Sequence, residues 1–583
     1  MKTIVLLLIY LLPFVVYAQN DGSDMLSGTG VLYSRVGYNS NAQKRIILRD
    51  SLSRFSDSTT FTMKDAQGRL CYSGALDEWG KKWSINWWIA DFTELEASGD
   101  FTFELIQDST TILNRTIKVQ PNILWKATWR TVALDQLKGR IDLRNQNLKK
   151  YGPEYAQGGG WQDCGSYLRE VNSHATMIVG LLDVLEFAAD RITAAEKQEL
   201  VAQIVLGLDY IAFCQDKAEE LGRGAGAILH EWPRHTNVIT GDVAKGALCF
   251  ARAGHLLQSL QKDKAEEYKL RAIRSFDWLQ REGPIHHPGG TDFNGVVQPN
   301  DGYEPKVYGA PQGATRPDEW KTRDIVMMMW TAMELSKSGQ SKYKALATNY
   351  ADLLMKRQID IRYSEGRFYG HFKAFDSTPF TEKAWEHHHM GFDAGSTFPH
   401  YLIPLIQMID LWSDHQDIEK WKECVQSFAY GYLLPACSNN PFKLLPMGYF
   451  EGEGLLNFSG LWHGMNGAYG SAAALALELF NFTGDQRFKE IATGNLQWIA
   501  GLNAGVPENG QYESKSMIYG VGEEYVGSWT KIAGTICNGF EADGQFAIEQ
   551  PRSSTDGPFV FTDEGWITHA GGWLSAISRW KME

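Results

Sequence analysis

Cysteine is scarce in this sequence. Seven residues (71, 164, 214, 249, 424, 437 and 537) are spread over 583 positions without a Cys-x-x-Cys pair. That excludes a disulfide-built scaffold and a zinc site of the usual ligand spacing. The thiols are expected mostly in the core, with one bridge at most. Runs of Lys and Arg are also missing. The net charge is −13, and an acidic chain without a basic stripe is a poor partner for nucleic acid. Past residue 18 no apolar stretch nears the length of roughly 18 residues that spans a bilayer, so no membrane partner is expected. There is no Gly-x-Gly-x-x-Gly, no Walker loop and no Gly-x-Ser-x-Gly elbow, which argues against a nucleotide cofactor and a serine nucleophile. No Asp-rich loop of the EF-hand kind calls for calcium. No cofactor is expected, and no metal is assigned.

What is present begins with a leader. Lys2 starts it, Ile4 to Val16 is apolar, and Val16-Tyr17-Ala18 fits a small-residue cleavage site before Gln19. Residues 1–18 therefore read as a signal peptide. No Cys follows the site to carry a lipid, so a secreted or periplasmic protein is expected. Aromatic rings are plentiful, with 20 Trp, 24 Tyr and 28 Phe. Most belong in a core of this size, and the surplus of Trp suits stacking on sugar rings.

The pattern changes near residue 120. From 26 to 120, short alternating segments such as Lys44-Arg45-Ile46-Ile47-Leu48 and Phe101-Thr102-Phe103-Glu104-Leu105 are separated by Gly, Asn and Asp, as in an immunoglobulin-like sandwich. Trp83, Trp87 and Trp88 fall inside this module, and its core is their expected place. From 121 to 583 the segments lengthen and take the 3.6-residue period, as in His174 to Asp190, Asp242 to Leu260 and Asn466 to Phe482. Helix after helix without intervening strands excludes a Rossmann fold or TIM barrel and suits an all-α (α/α)6 toroid. Its long loops are rich in Gly, Trp and His, the usual place for function.

Four motifs in order give this reading a family. Gly159-Gly160-Trp161-Gln162-Asp163-Cys164-Gly165-Ser166 resembles the Gly-Gly-Trp-x-Asp-Ala-Gly-Asp loop of glycoside hydrolase family 9. Gln497 to Asn503 and Met517 to Gly522 resemble the end of its penultimate helix and the loop after it. Asp563-Glu564, with His569 at a Tyr position and Gly571-Gly572 beyond, resembles its late Asn/Asp-Glu motif. The resemblance implies a sandwich before a six-hairpin barrel and a carbohydrate substrate. It also implies Glu564 as the general acid and Asp163 as a carboxylate that holds water. An inverting glycosidase needs one carboxyl group to protonate the leaving oxygen and another to activate water on the opposite face. Phe561, Trp566 and Trp573 are the expected apolar wall of Glu564, and His569 is expected beside it on one helix, titrating near neutrality.

Two departures matter. The family's principal base is replaced by Ser166, whose hydroxyl cannot take a proton from water. Either Asp163 acts as the base, or a carboxylate enters from another loop (Asp393 first), or hydrolysis is weak or absent. The family's His-His-Arg loop is also missing, so plain cellulose is not the expected substrate. Sugar contacts are expected from Trp161, Ser166, His230, Glu231, Arg234, His235, Trp320, His388, Trp462 and His569. Two other readings stay open. One is a polysaccharide lyase with His230, His235 or Tyr303 as the base and Arg234 beside it. The other is a glycan-binding relative without activity.

Overall fold

The computed structural model describes residues 29–51, 54–164, 168–233, 236–284, 319–363, 368–373, 376, 402–446, 448–450, 454–458, 465–508, 510–523, 530–542 and 559–582. The leader lies outside them.

Alternating segments between Gly30 and Gln120 form two facing sheets. One runs Tyr38–Asn39, Thr110–Gln120, Gly99–Gln107, Thr60–Lys64, Leu70–Ala75. The other contains Gly30–Leu32, Arg45–Asp50, Ile85–Asp91 and Asp77–Lys82. Ile46, Leu48, Phe61, Met63, Trp88, Phe103 and Ile117 fill the space between them.

This second sheet crosses the boundary expected at residue 120. Gln511–Glu513 pairs in parallel with its first strand, Gly30 opposite Tyr512 and Val31 opposite Glu513, and Val506–Glu508 lies outside that. Two tryptophans also depart from expectation. Successive residues of a strand face opposite sides of a sheet. Trp88 therefore enters the sandwich core, while Trp87 and Trp83 turn toward the helices and pack on Phe442, with centroids at 5.3 Å and 6.4 Å. Phe442 in turn lies 4.9 Å from Trp498. Buried arginines cross the same seam. Arg45 donates to the Pro441 carbonyl at 3.1 Å, and Arg49 donates to the Ala504 carbonyl at 2.9 Å beneath the Tyr512 ring. A chain beginning at Asn122 should then aggregate or melt well below the full protein, because it bares the 511–513 edge and the Phe442 face. An unchanged melting curve would show the module to be dispensable.

The helices alternate between two kinds. Lys262–Glu282 carries only a stripe of buried residues, whereas Thr322–Ser336 is buried on every side from Thr322 to Leu335. A helix apolar on one stripe lines a surface, and one enclosed all round lies inside. The inner ring is Val171–Phe187, Thr240–Leu256, Thr322–Ser336, Ile403–Leu411, Asn466–Thr483 and Ile567–Arg579, each packed on the next and the last on the first. Outer helices precede them in sequence: Ile123–Arg130 with Gln136–Tyr151, then Ala194–Glu220, Lys262–Glu282, Ser341–Lys356, Ile418–Phe428 and Gln486–Ile499. Six hairpins closed into a ring make an (α/α)6 toroid.

Closure depends on Gly571 and Gly572. A Cβ on Gly571 would lie 2.4 Å from the Thr176 carbonyl oxygen, and one on Gly572 would lie 2.6 Å from that of Gly467. Each glycine thus admits one neighbouring backbone, and the last helix wedges between the first and the fifth. The seven cysteines are free thiols, with Cys71 exposed and the others buried. No helix among the described residues is long and apolar enough to cross a membrane.

Candidate active site

Buried polar side chains gather at the N-terminal turns of the inner helices: Asn172, Asp242, Lys245, Arg323, Asp324, Asn466 and His569. Two chain segments meet there, one bearing Asp163 and the other Glu564.

The early segment is pinned by its aromatic residue. Gly160 adopts φ +73°, and a Cβ there would come within 2.7 Å of His174 Nε2. That nitrogen accepts the Trp161 N–H at 2.9 Å, while His174 Nδ1 donates to the Glu170 carbonyl at 2.8 Å. The Trp161 indole stacks on His174 at 5.1 Å, donates to Gln203 Oε1 at 2.9 Å and is wholly buried. Trp161 was expected against sugar. It is instead the anchor of its own loop, with no face left to offer.

Asp163 is sealed inside, at 1% exposure. Its carbonyl accepts the Ile567 N–H at 2.9 Å, and its Oδ2 accepts the Glu170 N–H at 2.9 Å. Beside it lies the Cys164 thiol, whose hydrogen bond to this carboxyl group lowers its pKa. Burial first, then the negative charges of Glu170 and Glu231, push this carboxyl group up to about 8. Arg140, reaching in from Gln136–Tyr151, donates through Nη1 to the carbonyls of Gln162 and Cys164 and through Nη2 to that of Gly565 at 3.0 Å. One guanidinium thereby joins the loop of Asp163 to the strand of Glu564. Burial lowers Arg140 to about 10, opposed by Cys164, Asp163 and Glu564.

Glu564 is buried at 5% exposure and lies near the end of the strand Phe559–Gly565, not on a helix. The helix begins at Ile567 and carries His569. The expectation of a neutral-range titration there is overturned. Burial, reinforced by Arg140, pushes His569 down to about 3. Its Nε2–H donates to Asn538 Oδ1 at 2.6 Å, and its ring stacks on Trp566 at 6.0 Å. His569→Phe should therefore leave both limbs of a pH–activity profile in place while lowering the rate through loss of the Asn538 contact. A displaced limb would show that the imidazole titrates. Trp573, expected as a wall of Glu564, donates instead to Thr128 at 2.9 Å and is core.

A third segment closes the group. His230 Nδ1 is 2.7 Å from Asp242 Oδ2, and its Nε2 is 3.5 Å from Glu170 Oε1. Burial opposes charge on this ring, but Asp242 and Glu170 outweigh it and raise it well above the usual histidine range. Glu231 Oε1 accepts the Arg169 N–H at 3.1 Å. His230 and Glu231 are almost fully buried, so they form the wall of the site, not an open sugar platform. Arg169 is turned away, its guanidinium held by the carbonyls of Gln157, Gly159 and Trp232. Trp320 is half-buried just before Thr322–Ser336. Ser166, Arg234, His235, Tyr303, His388, Asp393 and Trp462 lie outside the described residues, as does the side chain of Phe561. Among the described residues no cluster of His, Cys, Asp and Glu could hold a metal ion.

The sequence reading passed over Glu170, Arg140, Asp242 and Asn538. Glu170 had one available signal, a carboxylate immediately before an inner helix and seven residues after Asp163.

No family model matches the sequence, and no curated protein does. Solved structures match throughout. A metagenome-derived glycoside hydrolase family 9 endoglucanase superposes with TM-score 0.63 at 16% identity, covering 95% of this chain and 99% of that one. A Bacteroides ovatus GH9 protein gives TM-score 0.62 at 14% identity, with 94% and 98% covered. AaCel9A in complex with cellobiose-like isofagomine gives TM-score 0.56 at 14% identity, with 94% and 99% covered. At these identities the shared property is architecture, and the chain has the fold of the family 9 glycoside hydrolases, a β-sandwich leading into an (α/α)6 barrel.

Proposed function

We propose that this protein is an exported glycoside hydrolase that cleaves O-glycosidic bonds of an oligosaccharide or polysaccharide with inversion, and that Glu564 is its general acid. The supporting observation is the junction of the two segments. Ile567 donates to the Asp163 carbonyl and Arg140 spans Cys164 and Gly565, which holds two buried carboxyl groups at one mouth of the toroid. Such a site gives a proton to the leaving oxygen through Glu564 while water attacks the anomeric carbon from the other side. Asp163, whose carboxyl group burial and the charges of Glu170 and Glu231 push upward, serves to hold that water. Export rests on the apolar leader, and an acceptor other than plain cellulose rests on the missing His-His-Arg loop.

The lyase reading loses one of its three candidate bases. A histidine that removes a proton must start neutral, and His230 lies between two carboxylates that raise it well above the usual histidine range. His235 and Tyr303, the other two, lie outside the described residues. Incubation of the purified mature chain with a broad polysaccharide and oligosaccharide panel tests the proposal. The expected product is a new reducing end, released by the native chain. An unsaturated, ultraviolet-absorbing uronate would replace hydrolysis with elimination, and binding without product would leave a lectin.

A further inference from the structure

We infer that Glu170 is the general base of this site, supplying the carboxylate that Ser166 lacks, and that Asp242 and His230 position it. The inference rests on the hydrolase reading above.

Three observations place Glu170. Its backbone is fixed from both sides, the N–H on Asp163 Oδ2 and the carbonyl on His174 Nδ1, at the extended residue that caps Val171–Phe187. Its carboxylate is set by a chain of contacts, Asp242 to His230 at 2.7 Å and His230 to Glu170 at 3.5 Å. Of that trio it alone opens outward, with its side chain 10% exposed against 3% for His230 and 4% for Asp242. Asp163, which its backbone N–H touches, is sealed at 1% exposure, so the less enclosed Glu170 carboxylate is the one nearer the mouth. Two carboxyl groups so placed fit a shared water. Asp163 would hold the water and Glu170 would take its proton.

The surrounding charges sort the roles. Facing Glu170 are the His230 cation with Asp242 behind it, Asp163 with Arg140 beyond it, and Glu231 across Asp163. Lys245 is engaged by Asn172 one turn into the helix, and Arg169 points away. The Glu170 charge is among the causes that raise the Asp163 carboxyl group, and the His230 ring holds the Glu170 side chain in place. In the reaction, Glu170 takes one proton from water as the oxygen bonds to the anomeric carbon. The glycosidic C–O bond breaks, its electrons stay on the leaving oxygen, and Glu564 protonates that oxygen. Water has been added across the bond, and Glu170 returns its proton to solvent while Glu564 regains one.

The test uses the full mature chain, the substrate the panel identifies and the 2,4-dinitrophenyl glycoside of its sugar. Glu170→Gln should lower kcat on both by about 10²–10⁴-fold, since water activation is needed whatever the leaving group. Added azide, a nucleophile that needs no deprotonation, should restore turnover as a glycosyl azide of inverted configuration. Glu170→Asp should retain part of the rate. His230→Gln should lower kcat with KM and melting temperature close to native, because Glu170 loses the contact that aims it. A purely structural histidine would lower the melting temperature and raise KM as well. Carbon-13 NMR of the carboxyl groups adds a readout independent of turnover: in Glu170→Gln the Asp163 signal should titrate at lower pH than in the native chain. Near-native turnover by Glu170→Gln would overturn the assignment and leave the hydrolase reading intact. Azide rescue confined to Asp163→Asn would give the base to Asp163. No new reducing ends from the native chain would overturn the hydrolase reading itself, and Glu170 as its base with it.

Discussion

Glu564→Gln is expected to reduce turnover of unactivated glycosides by about 10²–10⁴-fold, the usual worth of a positioned general acid. The amide keeps the size of the buried side chain and removes only the transferable proton, so the Arg140 bridge to Gly565 and the Asp163–Ile567 bond remain to hold the segments together. The loss should depend on the leaving group. A 2,4-dinitrophenolate departs without protonation, so its glycosides should be hydrolysed at close to the native rate. Alkyl and sugar leaving groups should show the full defect. The basic limb of the native pH profile, which reports loss of the acid's proton, should disappear with the dinitrophenyl substrate. Equal losses on both substrates would mean that Glu564 does something other than protonate the leaving oxygen.

The two halves of this site differ in how far the sequence exposes them. That the segments of Asp163 and Glu564 are worth pairing was legible because each sits in a local motif, a Gly-Gly-Trp-x-Asp turn and a carboxylate just ahead of a Gly-Gly helix, and the structure brings those two segments together. The barrel was legible because inner and outer helices differ in the width of their apolar face, a property of each helix alone. Contacts between distant segments were not. Gln511–Glu513 is three residues long, and nothing in it announces a partner at Gly30. Trp87 and Trp88 are adjacent and identical, and only the pleat decides that one faces the helices. Glu170 offered only its place before an inner helix, because the groups around it (His230, Asp242 and the Asp163 carboxylate) come from three separate loops and helices. Nor could the neutrality of His569 be read, since burial and Arg140 set it.

Asp183→Ala is expected to destabilise the barrel more than any substitution at the mouth. At the end of the ring opposite the site, the fourth turns of five inner helices bring Asp183, Arg252, Glu334, Glu478 and Arg579 together. Asp183 accepts from Arg252 at 2.8 Å and from Arg579 at 2.5 Å, and all three are buried. Arg252 continues to Glu186, and Arg579 to Glu478. Removing Asp183 leaves two buried guanidinium groups facing each other without their shared counter-ion, a defect that costs about 3–5 kcal/mol. The pH dependence has a definite sign. Burial alone would raise this carboxyl group, but Arg579 and Arg252 overcome it and hold it at about 2. A depressed pKa contributes stability that is complete above the unfolded value of about 3.9 and is lost as pH falls toward the folded value. The gap in urea midpoint between the native chain and Asp183→Ala should therefore be constant from neutrality to about pH 5 and narrow between about pH 4 and pH 2. Asp183→Asn, which keeps two acceptor lone pairs and loses the charge, should fall between them at pH 7 and meet the native chain at the acid end. A gap that stays constant down to pH 2 would mean that the aspartate acts through packing and not through its charge.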